Sequence, residues 1–215
     1  MCSIIALALL LGAQSAAAET RSLSADVWFD NWFEMYVNGE KVAEDSVPIT
    51  TERSFNAETV TFTADLPAQI AIIAKDFKEN DSGLEYIGSR RQQMGDGGLI
   101  AQIVDTDTGD VIAVTNDTAR CLVVHRAPMD RSCADERDPV AGEGACAFEE
   151  TAIPADWTSS EFDDSIWPAA TEHSESAVRP KDGHDRISWD SSARLIWSDD
   201  LLQDNTLLCR LTVSE

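Results

Sequence analysis

The chain has few basic residues. Sixteen Lys and Arg stand against thirty-nine Asp and Glu in 215 residues, so the formal net charge at pH 7 is −23. Such a surface repels the phosphates of nucleic acids and anionic membrane surfaces, so the composition predicts neither as a partner. Two interpretations of the charge stay open: solubility in a salty setting, where screening makes self-repulsion tolerable, or attraction of cations or of a basic protein partner.

The chain also lacks the short motifs of common catalytic and nucleotide-binding centres. There is no nucleophile elbow, H-E-x-x-H helix, phosphate-cradling glycine loop or dinucleotide fingerprint. The one cluster of glycines, residues 95–98, lacks a Lys and a following helix pattern, so it predicts a flexible turn. Carboxylate pairs for glycoside hydrolysis arise by chance in so acidic a chain, so a glycosidase-like enzyme with dispersed carboxylates is only an alternative.

The apolar stretch from Ile4 to Gly12 is shorter than the about 20 residues that a membrane-spanning helix needs. It is followed by the small residues Ser15 to Ala18, as in a signal peptide with an A-x-A cleavage site. The basic residue that usually precedes such a stretch is missing, which a mis-assigned start codon would explain. We therefore predict a signal peptide at 1–18, a periplasmic or secreted protein without membrane insertion, and a single β-sandwich domain at 19–215.

Cysteines are few, and no C-x-x-C spacing typical of zinc sites occurs. Four of them, an even number, follow residue 18: Cys121, Cys133, Cys146 and Cys209. In an exported chain this number predicts two disulfide bonds, for which three pairings are possible. Cys133 and Cys146 flank one polar loop, whereas Cys121 and Cys209 lie in apolar, strand-like runs. We therefore expect the pairs Cys133–Cys146 and Cys121–Cys209.

Helix patterns are scarce beyond residue 18, and strand patterns predominate. Asn38-Gly39, which follows Met35 to Val37, is a strong signal for a tight hairpin turn. Further strands are predicted at 59–64, 68–74, 98–104, 111–114, 193–197 and 206–213. Short strands separated by turn residues predict an all-β fold, a sandwich or a jelly roll, stapled by the disulfide bonds.

Two stretches resemble the galactose-binding-like β-sandwich, a module attached to many glycoside hydrolases. From Ala25 to Gln102 the chain reads W-F-E-M-Y-V-N-G-E-K-V, then I-A-I-I-A-K-D and G-G-L-I-A-Q. From Trp157 to Thr212 it reads W-T-S-S-E-F-D-D-S-I-W-P-A-A, then A-R-L-I-W and L-C-R-L-T, which is similar to the part that normally opens the module. The resemblance implies a jelly roll whose halves are permuted, or parts of two modules fused.

In that family the D-D-S-x-W element is structural. The resemblance implies that the turn Asp163-Asp164-Ser165 bonds backbone N–H groups and that Trp167 packs inward. Calcium binding by Asp163 or Asp164 is the alternative.

Calcium is the cofactor that the acidic turns favour. Asp105, Asp107 and Asp110 alternate around a glycine turn and offer the oxygen ligands that a hard cation takes. No Glu completes an EF-hand loop there. An ordinary β-turn with solvated carboxylates is the alternative interpretation.

Copper is a second metal hypothesis. An oxidising compartment uses His and Met side chains to bind copper, and His125 lies four residues before Met129. His173, His184 and Met94 are the residues that would complete such a site.

Trp32 and Trp189 have polar neighbours in sequence, as do the aromatic platforms on which carbohydrate modules stack sugar rings. Packing in the core is the alternative for each. Tyr86, Arg90 and Arg91 form an island of positive charge in an acidic chain. These three residues are candidates for holding an anionic ligand, or else for pairing with nearby carboxylates.

The leading hypothesis is an exported, non-catalytic binding protein that recognises a carbohydrate or another small polar ligand. A calcium- or copper-binding protein is the first alternative, and a glycosidase-like enzyme is the second. A protein partner also stays open.

Overall fold

The computed structural model describes residues 19–214, so the predicted signal peptide lies outside the described residues. The first seven strands are β1 (Glu19–Asp30), β2 (Trp32–Val37), β3 (Glu40–Glu44), β4 (Asn56–Leu66), β5 (Ala68–Lys75), β6 (Leu84–Glu85) and β7 (Gln93–Met94). The next seven are β8 (Gly98–Asp105), β9 (Val111–Val114), β10 (Arg120–Arg126), β11 (Glu149–Glu150), β12 (Thr171–His173), β13 (Leu195–Trp197) and β14 (Asp204–Val213). The described helices are α1 (Glu175–Val178) and the 3-10 turns Arg131–Asp135, Gly144–Cys146 and His184–Arg186. None of these helices is long and apolar enough to cross a membrane.

Two six-stranded antiparallel sheets form the body of the protein. The first sheet has the order β12-β13-β8-β1-β4, with β9 also paired to β8. The second sheet has the order β11-β10-β14-β5-β2-β3, and β6 and β7 form a separate two-stranded hairpin. The prediction of an all-β chain is therefore confirmed.

The largest hydrophobic core lies between the two sheets. In β1, every second residue from Leu23 to Phe29 belongs to this core, which is the period of a strand with one face turned inward. The ring of Phe29 stacks on that of Phe33 in β2, with centroids 4.3 Å apart. Leu207 of β14 and Trp197 of β13 complete the contact between the sheets.

The outer face of the second sheet is covered by residues 157–167, here named the covering segment. Trp157 and Trp167 are buried there against side chains of β5, β10 and β14. Buried Arg210 of β14 anchors the segment, since its Nε donates a hydrogen bond of 2.7 Å to Asp164 Oδ2. Its Nη atoms donate to the backbone carbonyls of Trp157, Ser159 and Phe162.

Both disulfide bonds have the expected pairing. Cys121–Cys209 joins β10 to β14 at directly paired positions that are 88 residues apart in sequence. Cys133–Cys146 closes the polar loop, with a sequence separation of 13. By the chain-entropy model the first stabilises the fold by about 4–5 kcal/mol and the second by about 3 kcal/mol, because the longer loop restricts the unfolded chain more.

The predicted hairpin is also confirmed. Asn38 and Gly39 link β2 to β3 with φ angles of 49° and 92°, the left-handed conformation that a tight hairpin turn requires. The longest strand, β1, was not predicted, because its N-terminal half carries charged and hydroxyl side chains between its few apolar ones.

Candidate functional site

A cleft of about 560 Å³ opens on the outer face of the second sheet. It adjoins the apolar patch under the covering segment, since Ile73 and Val124 belong to both. Its lining residues are Ile73, Lys75, Lys78, Val124, His125, Glu150, Thr151, Ala152, Ile153 and Thr206. The cleft therefore combines an apolar patch with charged and hydroxyl groups, as ligand sites commonly do.

One row of paired residues crosses five strands at this cleft. Lys75 of β5 is paired with Trp32 of β2 on one side and with Thr206 of β14 on the other. His125 of β10 is paired with Thr206 and with Glu150 of β11, and β10 is irregular on either side of it. Directly paired residues of antiparallel strands project to the same face of the sheet. The row thus brings together side chains from distant parts of the sequence.

Several polar groups of the row have no hydrogen-bond partner within the described part of the chain. The ammonium of Lys75 lies 4.6 Å from the centroid of the Trp32 ring and pairs with no carboxylate there. The other lysine of the cleft, Lys78, pairs with Asp81 at 2.5 Å. Lys75, together with the hydroxyl of Thr206, is therefore free to bind a ligand.

His125 forms a buried part of the cleft wall. The residue is 4% exposed, and neither ring nitrogen has a hydrogen-bond partner. Its ring stacks on Phe148 with centroids 5.6 Å apart. Burial, together with the charge of Lys78 and partly opposed by Asp81, lowers the pKa of His125 to about 4. The imidazole is thus neutral at pH 7.

The two predicted aromatic platforms lie in different places. Trp32 belongs to the row, but it is only 9% exposed and Lys75 lies over its ring, so its face is not open to a sugar. Trp189 is half-buried near the first sheet, where its Nε1 donates a hydrogen bond of 3.0 Å to the carbonyl of His184. It lines a second, smaller cleft of about 390 Å³, together with His173.

The predicted basic island does not line the large cleft. The guanidinium of Arg91 lies 4.3 Å from the centroid of the Tyr86 ring, and Arg90 is exposed. Within residues 19–214 neither arginine pairs with a carboxylate, so the internal pairing considered for them is not observed.

The three aspartates predicted to hold calcium do not converge on one point within the described chain. Asp105 Oδ1 accepts hydrogen bonds from the backbone N–H groups of Asp107 and Thr108, at 2.9 and 3.2 Å. Its Oδ2 accepts one of 3.0 Å from Arg21. Buried Asp105 thus closes the β-turn itself, while Asp107 and Asp110 are exposed.

The residues of the copper hypothesis are likewise scattered. No cluster of three metal-ligating groups in the described chain includes His125. Its predicted partner Met129 is exposed. Of the remaining histidines, His173 bonds through Nε2 to the carbonyl of Ser198 at 2.8 Å, and His184 packs edge-on against Trp28.

A second polar site lies where β1 and β5 end, and the sequence analysis missed it. Asp30 ends β1, Asp76 follows β5, and Asp96 lies in the loop before β8. One carboxylate oxygen from each falls within 4.8 Å of the other two. Buried Glu85 of β6 is close enough to raise the pKa of Asp30 and Asp76. We name Asp30, Asp76, Glu85 and Asp96 the acidic cluster.

The electrostatics of the acidic cluster are unfavourable. Burial raises the pKa of Asp30 and of Asp76 well above the ordinary range, and the neighbouring carboxylates raise both further. Burial, followed by the charge of Asp96, raises the pKa of Glu85 to about 7. Lys181 supplies positive charge, with its Nζ 3.3 Å from Asp96 Oδ2 and 4.0 Å from Asp30 Oδ2. A useful signal in the sequence was an aspartate close behind an apolar run: Asp30 follows the run at 27–29, and Asp76 the run at 68–74.

Comparisons with protein-family models, with curated proteins and with solved structures find no match to this chain.

Proposed function

We propose that this chain is an exported, non-catalytic protein that binds a small polar ligand in the large cleft. We also propose that its two sheets form a galactose-binding-like, permuted sandwich. The observation that supports the binding function is the row of paired residues, which places the free groups of Lys75 and Thr206 beside an apolar patch. A concave, partly apolar site with a few convergent polar groups is the usual form of a small-molecule site.

A carbohydrate fits this cleft best. A sugar ring has apolar C–H faces and hydroxyls that both donate and accept hydrogen bonds. Ile73, Val124 and Ile153 supply apolar contacts, while Lys75 donates and exposed Glu150 accepts. The free ammonium further favours a sugar that carries a carboxylate or another acidic group.

A binding role is favoured over hydrolysis by the lining of the cleft. Glycosidases generally use two carboxyl groups about 5–10 Å apart. Glu150 is the one carboxylate among the lining residues. Export is favoured by the two disulfide bonds, which are typical of oxidising compartments.

The test is isothermal titration of the purified protein with neutral and acidic mono- and oligosaccharides. We expect an acidic sugar to bind, and Lys75→Met and Thr206→Val each to weaken its affinity about 10-fold or more. Lys41→Met is the matched control, because this lysine lies on the edge strand β3 and pairs with Glu34 and Glu44. If a sugar binds both cleft variants as tightly as it binds the wild-type protein, its site lies outside the large cleft. The smaller cleft at Trp189 is then the next candidate.

A further inference from the structure

We infer that the acidic cluster binds a hard divalent cation, for which Ca²⁺ is the best match. The spacing of the ligand atoms suits one such ion. Oxygen atoms bound to one Ca²⁺ at 2.3–2.6 Å lie at most about 5 Å apart. Asp30, Asp76 and Asp96 each place one carboxylate oxygen within 4.8 Å of the others. One ion can therefore reach all three.

Two buried carboxylate oxygens of the cluster lack hydrogen-bond partners within residues 19–214. Asp30 and Asp76 are each 2% exposed, yet Asp30 Oδ2 and Asp76 Oδ1 accept no hydrogen bond. Buried polar groups are almost always bonded, because an unsatisfied one loses its hydration without compensation. A cation between these oxygens would supply the missing interaction.

The charges of the cluster are poorly balanced within the described chain. When ionised, its four carboxylates carry −4, and Lys181 beside them leaves −3. Lys181 is a weak counter-charge, because its side chain is 41% exposed and approaches only Asp96 and Asp30. Because the Lys181 side chain is partly exposed, its ammonium can turn towards solvent when an ion enters.

The backbone also holds the ligands of the cluster in place. The N–H of Asp76 donates to the carbonyl of Asn205 at 2.9 Å, which fixes the residue beside β14. At Gly95, a Cβ atom would lie 1.7 Å from Asp76 Oδ2. Only glycine permits this approach, so the turn predicted to be flexible is packed tightly against the cluster.

Calcium fits the cluster better than magnesium. Ca²⁺ takes six to eight oxygen ligands in flexible geometry, and the three converging carboxylates supply up to six. Mg²⁺ keeps several bound waters and requires a regular octahedron. Buried side chains such as Asp30 and Asp76 leave little room for those waters.

The experiment is calorimetric titration and thermal unfolding of the EDTA-treated protein with Ca²⁺ and, separately, Mg²⁺. We expect saturating Ca²⁺ to raise the Tm by about 5 °C or more. Asp76→Asn and the milder Asp96→Asn should each weaken the affinity about 10-fold or more. Lys181→Met should instead strengthen it several-fold, because it removes a competing positive charge.

The matched control is the double variant Asp107→Asn, Asp110→Asn, which removes two exposed carboxylates from the turn first predicted to hold calcium. It should bind Ca²⁺ like the wild-type protein. The inference is overturned if Ca²⁺ does not bind, if binding survives both Asp76→Asn and Asp96→Asn, or if only the control variant loses it. Circular dichroism of each variant separates lost binding from lost folding, and none of these results depends on the sugar titration.

Discussion

The two buried ionic clusters of this protein differ in how completely their charges are matched. At Arg210, each of the three guanidinium nitrogens donates a hydrogen bond, and Asp164 balances the charge. In the acidic cluster, four carboxylates share one half-exposed lysine, and buried oxygens of Asp30 and Asp76 accept nothing.

The difference separates a structural role from a binding role. A buried charge that is fully bonded within the chain has nothing left to offer a ligand, so Arg210 serves to hold the covering segment. A buried charge that is unmatched is costly and is retained in native proteins chiefly where a ligand, a proton or a function compensates for it. The same chain thus shows both outcomes, one on β14 and the other at the ends of β1 and β5.

The largest expected effect comes from breaking the matched cluster. Arg210→Met should lower the free energy of unfolding by about 3–5 kcal/mol, because Asp164 and three backbone carbonyls lose their donor. Urea unfolding measures the change, and exposed Arg90→Met is the control, expected to cost under about 0.5 kcal/mol. A loss below about 1 kcal/mol for Arg210→Met would mean that the covering segment is held mainly by its tryptophans.

His125 extends the comparison to a buried group that is unmatched but neutral. Its pKa of about 4 lies below the ordinary value of 6.5, so the unfolded chain takes up the proton first as the pH falls. The stability that His125 contributes is complete above about pH 6.5 and is lost towards pH 4, by about 1–3 kcal/mol. Burial is the main cause of the lowered pKa, the charge of Lys78 adds to it, and that of Asp81 opposes it.

This pH effect is measured by urea unfolding between pH 4 and 7.5. The difference in stability between wild-type protein and His125→Gln should shrink as the pH falls. Taking the difference between the two proteins cancels the contribution of the buried carboxylates to the pH dependence. The raised pKa of Glu85, for example, makes the folded protein more stable as the pH falls, which is opposite to the effect of His125. His173→Gln is the control for losing an imidazole outside the large cleft. Parallel profiles for wild-type protein and His125→Gln would contradict the expectation.

A smaller effect is that the same type of substitution, Asp to Asn, should change the stability differently in the two clusters. Asp164→Asn should destabilise the protein by about 1–2 kcal/mol, because it weakens a charge-assisted hydrogen bond from Arg210. Asp76→Asn should leave the cation-free protein as stable as the wild type or slightly more stable, because it removes a buried and repelled carboxylate. Both are measured by urea unfolding in EDTA, and a similar loss for both variants would remove the distinction between the clusters.

Features encoded locally were predictable from the sequence. The hairpin at Asn38-Gly39 follows from the φ angles that this dipeptide adopts, and the disulfide pairing followed from the contrast between a polar loop and two apolar runs. The apolar runs at 68–74 and 206–213 became β5 and β14, because a strand buried on both faces is recognisable without any partner.

The two candidate sites were not predictable in the same way. Lys75, Thr206 and His125 meet because β5, β14 and β10 are neighbours in the sheet, and this order depends on pairings between distant residues. Asp30 and Asp76 meet because two strands end at the same place. The aspartates at 105–110 attracted attention through their spacing alone, and that spacing belongs to a turn.

The bond between Cys121 and Cys209 has a consequence for proteolysis. It encloses residues 122–208, which include the covering segment and the smaller disulfide-closed loop. A protease that cuts once anywhere between these two cysteines releases no fragment, because both ends of the cut remain tied through β10 and β14. Such a nicked molecule would run as one band on a denaturing gel until a reductant separates its pieces.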